Sequence, residues 1–161
     1  MTRLRGITIA AFIVASLAMA ALGIAGLSKG LDVAFFRTEL RGWSFIPKLV
    51  APFIAVLLPA LELALALFWF LNVRRRVVAV AALLLTAAAT TAFAIHWAVD
   101  DPSTCGCLGP LGKRLVVLES VKLVLPRNVL LMVAFGVFLW TSRHPSADQS
   151  SPGQSAVPVS V

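Results

Sequence analysis

The sequence predicts an all-α integral membrane protein, a four-transmembrane-helix bundle with a cysteine-containing outer loop. Three observations carry this. Hydrophobic residues make up 60% of the chain and charged residues 13%, about half the charged share of a soluble domain, so 161 residues cannot cover themselves with polar surface in water. Several apolar runs reach twenty residues or more, enough at about 1.5 Å per helical residue to cross a hydrocarbon layer roughly 30 Å thick. The basic residues gather at the ends of these runs instead of along a polar face, which is where lipid headgroups receive them.

The first run extends from Gly6 to Leu27, after Arg3 and Arg5 and before Ser28-Lys29-Gly30. A basic start and the small residues Ala20, Ala21 and Gly23 imitate a secretory signal, but the apolar stretch exceeds the roughly 7 to 15 residues of a signal core, so a retained helix is expected. A first outer loop follows, from Ser28 to about Lys48. It mixes Asp32, Arg37, Glu39 and Arg41 with Phe35, Phe36, Trp43 and Phe45, as an amphipathic stretch at a membrane interface does.

The second helix is expected from Leu49 to Leu71 and the third from Val77 to Val99, joined by a tight hairpin carrying Arg74-Arg75-Arg76. So dense a basic cluster resists translocation and places the hairpin in the cytoplasm. The proposed outer loops carry Lys29, Arg37, Arg41, Lys48, Lys113, Arg114, Lys122 and Arg127, which oppose that orientation by number; Asp32 with Glu39 and Asp100 with Asp101 offset part of them. The run from Val129 to Trp140 is too short to span, so the fourth helix is expected to begin near Val124. Pro126 then lies in its first turn and Arg127 and Asn128 at the outer interface, with the guanidinium snorkelling to headgroups. Residues 142–161 are rich in Ser, Pro, Gln and Ala and read as a disordered tail after a membrane domain of residues 1–141. Both termini fall in the cytoplasm, across the inner membrane of a bacterium.

Two cysteines are all the chain has, and they stand together as Cys105-Gly106-Cys107 in the outer turn TCGCLG. A polar turn bounded by Asp100, Asp101, Pro102, Ser103, Gly109 and Pro110 is a poor place for cysteines that serve packing. On an outer face thiols meet an oxidising compartment, where a pair holds or exchanges a disulfide. A disulfide needs Cα atoms about 4.4 to 6.8 Å apart, so the chain must fold back at Gly106, which has no Cβ to oppose the turn. The small ring is strained and easily reduced, favouring exchange with an extracytoplasmic thiol oxidoreductase or a disulfide-containing substrate. A metal-handling pair and a structural disulfide are the other readings; two thiolates and one nearby histidine do not complete a zinc site, and no metal or other cofactor is expected.

His96, nine residues before Cys105, is either an interface residue beside Trp97 or a group that tunes one thiol, as Lys113 and Arg114 also can. Glu62 stands thirteen residues after Leu49, near the membrane midplane, where an exposed carboxylate costs at least about 2.5 to 3.5 kcal/mol. It must face the bundle or be protonated. Ser16, Thr86, Thr90 and Thr91 have similar depth and are its expected company. Pro59, one turn earlier, leaves the carbonyl of Ala55 without its helical donor. A structural polar knot, a site for protons, quinone or a partner, and a substrate-transport site are all open for Glu62, although nothing in the sequence identifies a quinone.

The stretch GLSKGLDVAFFRTELRGWSFIPKLVAPFIAVLLPALELALALFWFL, followed by CGCLG and then PRNVLL, resembles the MauE family of methylamine-utilisation membrane proteins, within the DoxX-like group of four-helix membrane proteins. The resemblance spans residues 7–141 and rests on Lys29 with Phe35 or Phe36, the Pro59 to Glu62 spacing in LPALE, the Cys105-Gly106-Cys107 turn, and Arg127-Asn128. It implies a role for Cys105 and Cys107 in maturing the disulfide-rich small subunit of a periplasmic methylamine dehydrogenase, with Glu62, His96, Lys29, Arg127 and Asn128 in support. The chain departs from the family's pattern at Leu108, where a phenylalanine is usual, and at Ala66, where a glycine is frequent; the second change is expected to loosen close helix packing.

Other functions lack their motifs. There is no Gly-rich phosphate loop, no HExxH and no CxxCH. The net charge of +7 is explained by arginines at membrane boundaries, so no nucleic acid is expected as a partner; membrane lipid is. A non-catalytic structural membrane subunit or a small transporter component is the alternative, although no inverted repeat is apparent.

Overall fold

A computed structural model describes residues 2–100 and 121–143, with side chains described over 6–100 and 123–142. The described residues form five helices: α1 (Thr2–Leu31), α2 (Val33–Arg41), α3 (Ala51–Phe70), α4 (Arg75–Asp100) and α5 (Val121–Arg143). All except α2 are long and apolar enough to cross a membrane. They make an antiparallel four-cornered bundle in which α1 packs on α3 and α5, and α4 on the same two. This is a multi-pass membrane architecture.

Each long helix buries one stripe and shows lipid the rest. On α3 the stripe is Ala51, Ala55, Pro59, Glu62, Ala66 and Trp69, stepping by three or four residues as one helical face requires. Leu57, Leu61, Leu67 and Phe68 point outward, which is a liability in water and ordinary in lipid. The core is small-residue packing: Ala15, Ala18 and Met19 of α1 against Ala79 and Ala82 of α4 and Ala134 and Phe135 of α5.

The closest approach is between α1 and α3. A Cβ built on Gly23 would lie 2.9 Å from the Cβ of Ala66, and one on Gly26 would lie 2.8 Å from the Cβ of Glu62 and 3.1 Å from the carbonyl oxygen of Pro59. Glycine on α1 therefore permits the contact. The loosening expected from Ala66 is not found: Ala66 is buried, and Gly23 supplies the missing space from the opposite helix.

The α3–α4 hairpin closes where Asn72 and Arg74 take positive φ angles of 61° and 39°; asparagine enters that region more readily than most residues. The N–H of Val73 reaches back to the carbonyl of Phe68 at 2.9 Å, closing the end of α3 in a Schellman-type bond. Arg75 donates to the carbonyl of Trp69 at 3.3 Å, and its guanidinium lies 4.7 Å from the Phe12 ring centre. Phe12 stacks on Trp69 with centres 6.0 Å apart. One arginine of the triplet is thus a structural clamp.

At the other end of the bundle, the amphipathic stretch expected in the first loop is α2. Asp32 caps it by accepting from the N–H of Phe35 at 2.9 Å, and Phe36 and Leu40 pack against Ala51 and Ala55 of α3. Three boundaries differ from the sequence expectation. Helix α1 continues past Leu27 to Leu31, so Lys29 is a residue of the bundle and not of a loop. Helix α4 takes in Arg75 and Arg76. Helix α5 begins before Val124, so Pro126 lies inside the helix, beyond its first turn. Residues 144–161 of the expected tail, and the cysteine turn, lie outside the described residues.

Replacing Gly26 by alanine should lower the thermal unfolding temperature of the purified protein in detergent, by an amount matching roughly 1 to 3 kcal/mol of overpacking. Gly136→Ala, at a mid-helix glycine with open space around its added Cβ, should leave the temperature unchanged or raise it.

Candidate functional site

The bundle holds a buried ion pair. The ammonium of Lys29 on α1 reaches both carboxylate oxygens of Glu62 on α3, at 2.6 and 2.8 Å. The two residues are 5% and 4% exposed. Both distances are in the range of charge-assisted hydrogen bonds. Glu62 is the twelfth residue of a twenty-residue helix, so no headgroup or bulk water supplies its neutralising charge; Lys29 does. The ammonium of Lys29 also lies over the Phe36 ring, 5.5 Å from its centre, which ties α2 to the pair.

Arg127 and Asn128 of α5 stand on the same layer. Their side chains approach each other at 3.5 Å, Asn128 is buried, and both residues line the same cavity as Glu62. Arg127 therefore serves the bundle interior. The sequence placed its guanidinium at the outer interface; the structure shows it half-buried in the wall of the cavity that Glu62 also lines. Ser16, Thr90 and Thr91 also differ from expectation. Ser16 accepts from the indole N–H of Trp69 at 3.1 Å. Thr90 and Thr91 donate to the carbonyls of Thr86 and Ala87 in their own helix. Only Thr86 of the four shares the layer with Glu62.

Around this layer lies a cavity of about 310 Å³, to which α1, α2, α3, α4, α5 and the loop after α2 all contribute. Its wall is apolar apart from Lys29, Glu62, Thr86, Arg127 and Asn128, with Phe36 and Trp43 as its aromatic residues. Thr86 is 5% exposed and its hydroxyl has no hydrogen-bond partner. Leaving such a group unmatched costs about 1 to 3 kcal/mol. Ala88 of α4 lines the cavity and is itself exposed.

A second polar cluster closes the α2 end. Nδ1 of His96 lies 2.7 Å from Asp100 one turn on, and the same carboxylate oxygen accepts from the N–H and hydroxyl of Ser44 at 3.2 and 3.1 Å. Because a carboxylate only accepts, Nδ1 is the donor in this pair. Trp43 stacks on the His96 ring with centres 4.6 Å apart. The loop after α2 is therefore fastened to the last turn of α4, and Trp43 links this cluster to the cavity. His96 is buried, held from two sides.

Of the residues singled out in the sequence, Lys29, Glu62, Arg127 and Asn128 meet around one cavity, and His96 borders it through Trp43. Cys105 and Cys107 lie outside the described residues. Sequence reasoning missed the pairing of Lys29 with Glu62, the service of Asp100 to His96, and Thr86 as a hydroxyl left over. The spacing of Gly23, Gly26 and Lys29 along one face was the available signal for the first.

A model of the family described as methylamine utilisation protein MauE matches residues 7–141. Neither the curated proteins nor the solved structures contain a match.

Glu62→Gln should accumulate in membranes several-fold better than Glu62→Leu in a quantitative immunoblot, because an amide oxygen still accepts from Lys29 whereas leucine leaves the ammonium without an acceptor. Equal accumulation of the two would show that Lys29 does not depend on Glu62. Thr86→Val, which removes a hydroxyl without a partner, should accumulate at least as well as wild type.

Proposed function

The chain belongs to the MauE family of methylamine-utilisation membrane proteins, and we propose that it acts there as a membrane thiol–disulfide redox or maturation factor through Cys105 and Cys107. The observation that carries this reading is the isolation of the pair: the chain has two cysteines, separated by one glycine, a few residues beyond the end of α4. A glycine between them permits the reversal that brings two sulfurs together.

The chemistry is thiol–disulfide exchange. The thiolate of a partner protein attacks one sulfur of the Cys105–Cys107 disulfide, breaking that bond and forming a mixed disulfide; a second partner thiolate then displaces the chain's cysteine. The partner leaves with a new disulfide and the chain keeps two thiols. Run in reverse, the same steps reduce or reshuffle a partner's disulfide. The family's description favours a partner in methylamine utilisation, such as the disulfide-rich small subunit of a methylamine dehydrogenase, or the soluble oxidoreductase that serves it.

This function requires the cysteine turn to be extracytoplasmic, in the inner membrane of a bacterium, with both termini in the cytoplasm. The charge distribution supports that orientation more strongly once the bundle is known. Lys29 is neutralised by Glu62 and Arg127 lies in the cavity wall, so two of the positive charges assigned to outer loops do not act as loop charges. The Arg74 to Arg76 hairpin, at the end of the bundle opposite α2, becomes the dominant cytoplasmic signal.

In membranes quenched with an alkylating agent, the variant that lacks the resolving cysteine, Cys105→Ser or Cys107→Ser, should accumulate a disulfide-linked partner, and the double variant should not. Absence of any adduct, with full function in the double variant, would favour a non-catalytic membrane subunit. In the cysteine-free background, Lys48→Cys should react with an impermeant maleimide in intact cells, and Val73→Cys only after lysis. The opposite pattern would place the thiols in the cytoplasm.

A further inference from the structure

We propose that the cavity between the helices is a binding site for a lipid-soluble quinone, with its ring beside the layer of Thr86, Arg127 and Asn128. Four observations carry this. The volume, about 310 Å³, is at the small end of ligand pockets, roughly 300 to 1,000 Å³, enough for one ring system and the start of a tail. The wall is apolar and contains the faces of Phe36 and Trp43, which suit a planar ring. The cavity is not sealed: Ala88, one of its lining residues, is exposed.

The polar groups that remain are donors. Thr86 has a buried hydroxyl with no partner. Asn128 has its oxygen toward Arg127, which leaves its amide N–H groups to donate. Lys29, Glu62 and Arg127 together carry one net positive charge. A ligand that matches this set presents acceptor oxygens and no donors on an otherwise apolar body. The two ring carbonyls of a quinone do so; a sugar, amine or nucleotide does not. A fatty acid also brings acceptor oxygens, and the net positive charge of the layer suits its carboxylate, so oleate is the competitor against which the quinone is tested.

Binding stands without the thiol chemistry. One further step rests on the function proposed above: when the thiols of Cys105 and Cys107 are oxidised, two S–H bonds break and one S–S bond forms. The two electrons and two protons pass to the ring oxygens, giving the quinol. Trp43 and His96 connect the cavity to the turn of α4 that leads toward the cysteines.

The test uses the full chain in phosphatidylcholine nanodiscs, titrated by equilibrium dialysis with a ubiquinone carrying a single isoprene unit. Saturable binding at one site per chain is expected. Thr86→Val and Asn128→Leu should each weaken it about tenfold, the order of one hydrogen bond in an apolar site, with the unfolding temperature of Thr86→Val unchanged. Thr91→Val, outside the cavity, should bind as wild type. Uptake no greater than that of empty nanodiscs, unchanged affinity in both cavity variants, or full displacement by equimolar oleate would overturn the quinone site. The Cys105→Ser/Cys107→Ser variant should bind like wild type yet form no quinol. Reduced wild-type protein that binds quinone and forms no quinol would overturn the electron-transfer step alone.

Discussion

A lysine and a glutamate in the apolar interior of a membrane bundle must find each other, and much of this structure follows from that requirement. Separately, each charge would cost several kcal/mol at this depth. Paired at 2.6 and 2.8 Å, they neutralise each other and fix how α1 lies along α3. The pairing needs the helices close, and Gly26, directly against Glu62, lets them approach. It also needs α1 to continue to Leu31, below the level where α3 starts. The chain must then climb back, and α2 with the loop after it makes that return over Ala51 and Ala55. The ion pair, the glycines and the amphipathic helix are parts of one arrangement.

The cavity follows from the same geometry. Lys29 and Glu62 spend their hydrogen-bonding capacity mainly on each other and provide a polar floor. Arg127 and Asn128 come to that floor from α5, and α4 contributes short residues such as Ala89 and Ala92 that leave space. Among the described residues no side chain fills the space, and the hydroxyl of Thr86 is left without a partner. The polar layer is thus built like a binding site, with a few fixed polar groups inside an apolar wall. The cluster of Trp43, Ser44, His96 and Asp100 fastens the loop after α2 to the last turn of α4, and Trp43 carries it to the cavity wall.

The four spans were legible because a lipid-crossing run needs only length and hydrophobicity, and Gly6 to Leu27 or Leu49 to Leu71 have both. Helix α2 was legible as an amphipathic stretch through its alternation of charges and rings. Which faces of the long helices meet was not legible, since both the lipid side and the core side are apolar and no periodicity separates Leu61 from Ala66. Glu62 announced itself as a single charge at depth. Its partner did not, because Lys29 follows the apolar run of α1 in sequence and reads as a boundary residue, and only the register of α1 on α3 carries it inward. Arg127 misled for the same reason: beside Pro126, it has the appearance of an interface anchor. The spare hydroxyl of Thr86 is a property of the packed state, invisible until Ser16, Thr90 and Thr91 are seen to be occupied elsewhere.

Whether the ion pair holds this arrangement is measured most directly by a double-mutant cycle on Lys29 and Glu62, with methionine at either or both positions and unfolding free energy determined in bicelles. Removing one partner strands the other, so each single variant should lose about 3 to 5 kcal/mol, while the double variant, with no charge to strand, should lose less than either. Losses that simply add in the double variant would show two independent charges, and would contradict the pair as the element that sets the bundle.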